Sequence, residues 1–271
     1  MTIGQAIVLG IVQGLTEFLP ISSSGHLIVV PWLMGWQVQS LAFDVALHIG
    51  TLTAVLWAFA GDWWRIVTGA LRGLRQPRPL HTPEARLLLS LALACVPAVI
   101  AGLLLQHWAE STFRSPALVA GTMAVMGTVL FLADRRAEHG EGTVATVSYS
   151  DALLIGAAQA LALVPGVSRS GSTISMALFL RYRRDEAARF SFLLSTPITF
   201  AAAAKEVPAL MHTDASLGVV LAGIVAAAVV GFAAIKGLLA YVRARNYMPF
   251  VYYRLALAVL IVVVLLVRSR A

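Results

Sequence analysis

The chain has 271 residues, of which 59% are hydrophobic and only 12% are charged, and its mean hydropathy is +0.83. Soluble domains carry about 25% charged residues, so this composition excludes a soluble globular protein. One membrane crossing takes roughly 20 apolar residues. We therefore predict a single integral membrane domain, residues 1–271, with no room for a separate soluble domain.

The formal net charge of +7 does not indicate a nucleic-acid partner, because the basic residues stand in short loops between apolar runs and form no basic stripe. The bilayer is the expected partner. The one cysteine, Cys95, excludes a disulfide within the chain. The N-terminus has no basic region followed by a cleavage site, so we expect no removable signal peptide.

Six apolar segments are predicted to cross the membrane: 41–61, 87–105, 116–133, 190–204, 217–235 and 255–267. Two further regions, 3–34 and 151–180, are apolar at both ends but have a polar centre rich in Ser, Gly and Pro. Non-helical backbone at membrane depth is tolerated only where protein or cavity water satisfies its polar groups. The predicted fold class is an all-α polytopic membrane protein with six transmembrane helices and two re-entrant helical hairpins.

The distribution of basic residues gives the orientation, because cytoplasmic loops are enriched in Lys and Arg. If both hairpins return to the face that they enter from, one face collects 15 of the 20 basic residues. These are Arg65, Arg72, Arg75, Arg78, Arg86, Arg135, Arg136, Arg181, Arg183, Arg184, Arg189, Lys236, Arg243, Arg245 and Arg254. We assign this face to the cytoplasm and place both termini outside.

An internal repeat relates the two hairpins. A shift of 146 positions aligns Gly10 with Gly156, Gln13 with Gln159, Leu15 with Leu161, Ser22 with Ser168, Ser24 with Ser170 and Gly25 with Gly171. Each hairpin precedes three crossings, an odd number, so the second repeat (about 150–271) is inverted relative to the first (about 1–133). The hairpins then enter from opposite faces and meet near the midplane of the membrane.

The first hairpin carries groups for acid–base and nucleophilic chemistry. Gln13 and Glu17 are four residues apart and share a helix face, and a carboxylate at membrane depth indicates a functional site. The run from Ser22 through Ser23 and Ser24 to Gly25 supplies hydroxyl and N–H groups at a helix start, which favours an anion site. His26 can transfer a proton near neutral pH.

The second hairpin adds a cation to a similar loop, Pro165-Gly-Val-Ser168-Arg169-Ser170-Gly171-Ser-Thr173. The planar guanidinium of Arg169 can donate two hydrogen bonds to one phosphate. Small residues in membrane helices often serve only close packing, but packing alone does not explain Glu17, His26 and Arg169 in two matching loops. For His48 and Asp44 we favour a structural hydrogen bond over catalysis. The combined set is an inventory for phosphoryl transfer.

Two long motifs, Gly-Leu-Thr-Glu17-Phe-Leu-Pro-Ile-Ser-Ser23-Ser-Gly-His26 and Pro-Gly-Val-Ser168-Arg169-Ser-Gly-Ser-Thr, resemble those of the undecaprenyl-diphosphate phosphatase family of the bacitracin-resistance type. The resemblance covers essentially the whole chain. It implies hydrolysis of a polyprenyl diphosphate, the recycled lipid carrier of cell-wall synthesis, to the monophosphate and inorganic phosphate. Gln13 replaces the Glu of many members, and Ser24 replaces the commoner Thr.

The same resemblance implies a divalent cation, Mg²⁺ or Ca²⁺, an inner-membrane location with the active site open to the extracytoplasmic side, and a possible homodimer. Our mechanistic hypothesis is that Arg169 binds the diphosphate, Ser23 attacks the terminal phosphorus and His26 handles the proton, while Glu17 orients His26 or holds the metal. Direct phosphorylation of His26 and activation of water stay open as alternatives. The residues expected to bind substrate are Gln13, Ser22, Ser24, Gly25, Gln159, Ser168, Ser170, Gly171 and Thr173.

Two other functions are compatible with the same sequence. Inverted repeats with broken helices are typical of transporters, so the protein could move an anionic lipid such as a polyprenyl phosphate without cleaving it. A structural scaffold is the third alternative, and it predicts that Glu17 and Arg169 can be replaced without loss of function.

Overall fold

The computed structural model describes residues 1–37, 39–75, 81–110, 114–137, 140–210 and 216–269. Within these ranges the chain forms eleven α-helices: α1 (Ile3–Phe18), α2 (Ser23–Met34), α3 (Leu41–Ala58), α4 (Ala60–Gly73), α5 (Pro83–Glu110), α6 (Pro116–Arg136), α7 (Tyr149–Ala160), α8 (Arg169–Phe179), α9 (Arg184–Leu210), α10 (Leu217–Val242) and α11 (Met248–Arg268). Short 3-10 helices cover Val144–Thr146 and Leu161–Leu163, and an isolated β-bridge joins Gly142 to Tyr182. The predicted all-α class is confirmed for the described part of the chain.

Five helices have the length and apolar composition needed to cross a membrane: α5 over Pro83–Leu105, α6, α9 over Arg184–Ala204, α10 and α11. A sixth candidate is the pair α3 and α4, whose axes are bent by 71° at Phe59. Five of the six predicted crossings therefore each lie within one continuous helix of the structure. Arg78, one of the basic residues assigned to the cytoplasmic face, lies outside the described residues.

The predicted crossing 41–61 differs from the structure at its C-terminal end, where α3 stops at Ala58 and α4 begins at Ala60. The residues after the bend explain the change of direction. Asp62 forms ion pairs with Arg65 and Arg189, and ionised groups are costly in hydrocarbon. Trp64 on the same helix is 73% exposed. This combination is typical of an amphipathic helix at a membrane surface.

Each predicted hairpin consists of two short helices separated by a turn, at residues 19–22 in the first and 161–168 in the second. Both turns contain a proline, which cannot continue a helix. Ser22 and Ser168 are the N-caps of α2 and α8 and have positive φ angles of 75° and 77°. Each serine Oγ accepts a hydrogen bond from the N–H of a glycine three residues later. Matched sequences thus adopt matched turns.

Glycines allow the first helix of each half to approach the backbone of a helix from the other half. α1 packs against α10, and α7 packs against α5. A Cβ atom added at Gly10 would collide with the carbonyl of Gly223 in α10, and one at Gly156 with the carbonyl of Ala94 in α5. Such close contacts are typical of small residues in membrane helices. Together with the packing of α3 on α9 and α6 on α11, they bring the two turns together.

Candidate active site

The turns of the two hairpins lie against each other. The N–H of Gly166 donates a 3.1 Å hydrogen bond to Ser22 Oγ. Ser170 Oγ donates a 3.0 Å hydrogen bond to the carbonyl of Leu19. The charged groups of the two hairpins also meet, since Arg169 Nη2 is 2.9 Å from Glu17 Oε1. Residues that the sequence singled out in two distant segments, with Glu17 from the first and Arg169 from the second, therefore lie at one site.

Glu17 lies at the centre of this site, and its side chain is 7% exposed. Its Oε1 accepts the hydrogen bond from Arg169. Its Oε2 accepts hydrogen bonds from Gln13 Nε2 at 3.1 Å and from Ser23 Oγ at 2.6 Å. An ionised carboxylate can accept about four hydrogen bonds. These donors, one of them a cation, allow Glu17 to remain buried.

Ser23 is placed for nucleophilic attack. It is the first residue of α2 and is only half-buried. Because its hydroxyl donates to Glu17, the carboxylate can take the proton as the oxygen attacks. A nucleophile within hydrogen-bond reach of a base is the arrangement expected for covalent catalysis.

The other residues of the first turn shape the backbone around Ser23. Ser22 is fully buried, and its Oγ accepts hydrogen bonds from Gly25 and Gly166. Ser24 Oγ lies 3.3 Å from Ser22 Oγ. A Cβ atom at Gly25 would lie 3.1 Å from Val119 Cγ1 and 3.3 Å from the Cα of Gly166, so the close contact between the turns favours glycine.

His26 is close to the turn, but its ring nitrogens are bonded away from Glu17. Nδ1 is 2.7 Å from the Ser22 carbonyl oxygen, and Nε2 is 2.7 Å from the hydroxyl of Tyr253. The expectation that Glu17 orients His26 is therefore not met. The physical reason is that the i−4 carbonyl of Ser22 is the nearest acceptor for a histidine in the first turn of α2.

In the second hairpin, the side chains mostly satisfy backbone groups. Arg169 donates through Nη1 to the carbonyl of Ser191 at 3.2 Å and through Nη2 to Glu17. These bonds use two of its five N–H donors. Ser168 Oγ caps the N–H of Gly171 at 3.0 Å, and Thr173 Oγ1 is 2.8 Å from the Arg169 carbonyl. Arg169 is thus the residue of this turn with donors to spare for a ligand.

The two matched glutamines have different surroundings. Gln13 donates to Glu17, whereas Gln159 donates a 3.4 Å hydrogen bond to the carbonyl of Ala94 in α5. In both, the Oε1 atom is buried without a hydrogen-bond partner among the described residues. Gln13 Oε1 is therefore a candidate ligand atom beside Glu17.

His48 belongs to the site although the sequence favoured a structural role. Its Nδ1 is 2.7 Å from the Asp44 carbonyl, which is the structural hydrogen bond that we expected. Its Nε2, however, is 3.5 Å from Glu17 Oε2. The Asp44 carboxylate pairs with Arg114 at 2.8 Å. The position of His48 two turns into α3 gave no indication that it faces the first hairpin.

The structure corrects the predicted position of Arg254, which the sequence analysis assigned to a cytoplasmic loop. It lies inside α11, is 0% exposed, and donates to the backbone carbonyls of both turns. These acceptors are Pro20 at 3.0 Å, Gly166 at 2.7 Å and Val167 at 3.1 Å. The sequence prediction failed because α11 begins at Met248 and not at residue 255, so Arg254 was counted as loop. Fourteen basic residues then remain on the proposed cytoplasmic face.

A resident metal ion would have few side-chain ligands here. The described part of the chain contains no group of three or more His, Cys, Asp and Glu residues that could hold one. Mg²⁺ is, however, often held by one carboxylate together with substrate phosphates. Glu17 and the unpartnered Gln13 Oε1 fit that limited role.

Two helix N-termini complete the electrostatics, because α2 and α8 both begin at the meeting point of the turns. A helix N-terminus carries partial positive charge and free N–H groups, which favour a bound anion. With Arg169 between them and the Ser23–Glu17 pair alongside, the arrangement can bind a phosphate and transfer it to a hydroxyl.

Comparison with known proteins agrees with this chemistry. Residues 6–260 match the family model described as bacitracin resistance protein BacA. Relatives named undecaprenyl-diphosphatase include those of Gemmatimonas aurantiaca, 45% identical over 269 residues, and Moorella thermoacetica, 47% identical over 268 residues. Each alignment covers 99% of this chain and 100% of the relative. A family match over most of the chain, with such identities at full length, shows that the protein belongs to the bacitracin resistance protein BacA family.

Proposed function

We propose that this protein is an undecaprenyl-diphosphatase, which removes the terminal phosphate of the polyprenyl diphosphate carrier of cell-wall synthesis and thereby confers bacitracin resistance. The names of its relatives support this activity. The principal structural support is the 2.6 Å hydrogen bond from Ser23 to Glu17, whose carboxylate is paired with Arg169. A nucleophile, a base and a cation are then adjacent at two helix N-termini.

In the proposed reaction, Ser23 Oγ attacks the terminal phosphorus and its proton passes to Glu17. The bond between this phosphorus and the bridging oxygen breaks, and the lipid monophosphate leaves. Water then hydrolyses the phosphoserine, which releases inorganic phosphate and restores the hydroxyl. Arg169 and the two helix N-termini neutralise the charge of the phosphoryl group, and positioning with charge neutralisation provides most of the catalysis of such reactions.

We assign the Ser23 proton to Glu17 and not to His26, since both ring nitrogens of His26 are bonded elsewhere. Mg²⁺ or Ca²⁺ is part of the proposal. Glu17 and Gln13 Oε1 would hold it, and the ion would neutralise negative charge on the diphosphate. Other predicted residues shape the turns that receive the substrate: Ser22, Ser24 and Gly25 in the first hairpin, and Ser168, Ser170, Gly171 and Thr173 in the second.

The proposed membrane arrangement has six crossings and two re-entrant hairpins in inverted repeats, within the bacterial inner membrane and with the site open to the extracytoplasmic side. The matched turn geometry of Ser22 and Ser168 and the bias of basic residues towards one face support it. A homodimer is part of the same proposal, and light scattering of the purified protein checks it.

The rival function, a transporter or flippase for an anionic lipid, explains the inverted repeats but gives no role to the Ser23–Glu17 hydrogen bond. Binding of a headgroup needs Arg169 and the helix N-termini, whereas hydrolysis also needs a nucleophile beside a base. The phosphatase is therefore favoured.

Release of inorganic phosphate from a polyprenyl diphosphate by the purified protein in detergent tests the proposal. Ser23→Ala should abolish release, and Ser150→Ala, at an exposed position on α7, is the matched control. An acid quench during turnover should trap phosphate on Ser23. A trapped phosphohistidine at His26, or full activity of Ser23→Ala, would contradict the assigned nucleophile, and absence of any hydrolysis by the wild type would favour the transporter.

A further inference from the structure

The hairpin that carries Ser23 is held to α11 by a side chain that the other hairpin does not have at the matched position. The repeat aligns His26 with Ser172. Ser172 Oγ donates a 3.0 Å hydrogen bond to the carbonyl of Arg169, within its own helix turn. His26 instead reaches Tyr253 of α11, 227 residues away in the sequence. The two turns share a backbone geometry but differ in how they are attached to the rest of the molecule.

The hydrogen bonds of His26 define its tautomer. A carbonyl oxygen can only accept, so Nδ1, at 2.7 Å from the Ser22 carbonyl, carries a proton. In the neutral ring Nε2 is then an acceptor, and the Tyr253 hydroxyl at 2.7 Å donates to it. The two rings are also nearly parallel, with an interplanar angle of 13° and centroids 5.6 Å apart. The Ser22 carbonyl thus sets the tautomer of His26, and Tyr253 restrains the orientation of its ring.

The carbonyl that His26 binds belongs to a strained residue next to the nucleophile. Ser22 has a φ of 75°, a backbone conformation that residues other than glycine rarely adopt. Ser23 follows it directly and donates to Glu17. A hydrogen bond that restrains the Ser22 carbonyl therefore also restrains the backbone from which the Ser23 hydroxyl projects.

We propose that Tyr253 is a positioning residue, which holds His26 and, through the Ser22 carbonyl, keeps Ser23 in the geometry needed for attack on the diphosphate. This inference depends on the proposed phosphatase function. Reactions of bound groups lose rate steeply when the reacting atoms are displaced by about 1 Å. The difference between the hairpins fits this role, because the turn that carries the nucleophile needs a fixed geometry more than the turn that binds charge.

Tyr253→Phe removes one hydroxyl and keeps the ring, and it should lower kcat about tenfold, because a small displacement of the Ser23 hydroxyl lowers the rate steeply. KM and the melting temperature should stay close to those of the wild type. Tyr252→Phe is the matched control, because Tyr252 is the neighbouring tyrosine and is 67% exposed. An unchanged kcat in Tyr253→Phe, or a fall in melting temperature that parallels the fall in kcat, would overturn the positioning role.

A double-mutant cycle separates a positioning role from direct contact with the substrate. If Tyr253 acts through His26, Tyr253→Phe should have little further effect on kcat in a His26→Gln background. Multiplicative effects of the two substitutions would mean that Tyr253 acts independently of His26, and the inference would be wrong.

The ¹⁵N resonances of the histidine rings provide a readout that does not require activity. The Nε2 resonance of His26, identified by its loss in His26→Gln, should shift in Tyr253→Phe and stay in place in Tyr252→Phe. An unchanged resonance would exclude the hydrogen bond. If the wild type released no phosphate, the proposed function would fail, while the resonance would still decide whether Tyr253 holds His26.

Discussion

Glu17 is buried at a depth where little water can solvate a carboxylate, and side chains from four helices replace that solvation. Gln13 of α1, Ser23 of α2, His48 of α3 and Arg169 of α8 all lie within 3.5 Å of its oxygens. An unpaired buried charge is costly, whereas one that is paired and hydrogen-bonded is tolerated. Each of these partners therefore influences both the position and the charge of the proposed base.

Replacement of Arg169 tests whether the planar guanidinium group is needed for activity. Arg169→Ala should abolish turnover, because both the phosphate and Glu17 lose their cationic partner. Arg169→Lys should restore little activity, since an ammonium group cannot bind Glu17 and a phosphate with the geometry of a guanidinium. The measurement is phosphate release by variants whose folded fraction has been checked by size-exclusion chromatography. Wild-type activity of Arg169→Lys would remove the bidentate interaction from the mechanism.

Removal of divalent cations should stop hydrolysis without unfolding the protein. The described residues offer one carboxylate and one amide oxygen at the proposed ion position and no cluster of three ligating side chains, so the ion should contribute to substrate binding more than to stability. Phosphate release and melting temperature are measured before and after treatment with EDTA. Activity that survives chelation, or a large fall in melting temperature, would contradict this role.

The sequence was sufficient to single out Glu17, Ser23 and Arg169, which the structure brings together, because charged and hydroxyl groups in an apolar chain have few structural explanations. It could not identify Tyr253 or the place of His48. Both side chains project from long helices, and what they touch depends on how those helices rotate and pack. The contact between His26 and Tyr253 spans 227 residues, and no local pattern indicates it.

At the level of helices and turns, the internal repeat indicated similar local structure in the two hairpins as well as their proximity. The matched Ser-x-Ser-Gly segments adopt the same positive φ and the same cap, at Ser22 and Ser168. The boundaries were predicted less well. The bend at Phe59 and the early start of α11 at Met248 depend on ion pairs and buried contacts with distant helices, which apolar content does not reveal.

Close helix packing gives a stability prediction for α1. A Cβ atom at Gly14 would lie 2.8 Å from both the Ala227 carbonyl oxygen and the Gly231 nitrogen of α10. Gly14→Ala should therefore destabilise the protein by about 1–3 kcal/mol, the usual cost of overpacking. Gly237→Ala, on α10, is the control, because a Cβ atom there meets nothing within 4 Å. Thermal unfolding in detergent compares the two, and equal melting temperatures would contradict the packing argument.

For the whole molecule, Arg254 is a direct connection between the two halves. It is fully buried and binds carbonyls of Pro20 in the first turn and of Gly166 and Val167 in the second. A buried cation satisfied by backbone carbonyls near two helix N-termini also adds positive potential where a diphosphate would bind. When Arg254 is no longer counted among the loop residues, most basic residues still lie on the same predicted face.

That bias makes the orientation testable by single cysteines in a Cys95→Ser background, labelled in intact cells with a membrane-impermeant thiol reagent. The layout places the connection between α9 and α10 outside and that between α6 and α7 in the cytoplasm, because the latter follows Arg135 and Arg136. Ser216 and Ala145 are exposed residues in these two connections. Ser216→Cys should therefore be labelled in intact cells, whereas Ala145→Cys should be labelled only after the membrane is permeabilised. Labelling of Ala145→Cys but not of Ser216→Cys would invert the orientation, while labelling of both in intact cells would contradict an odd number of crossings between them.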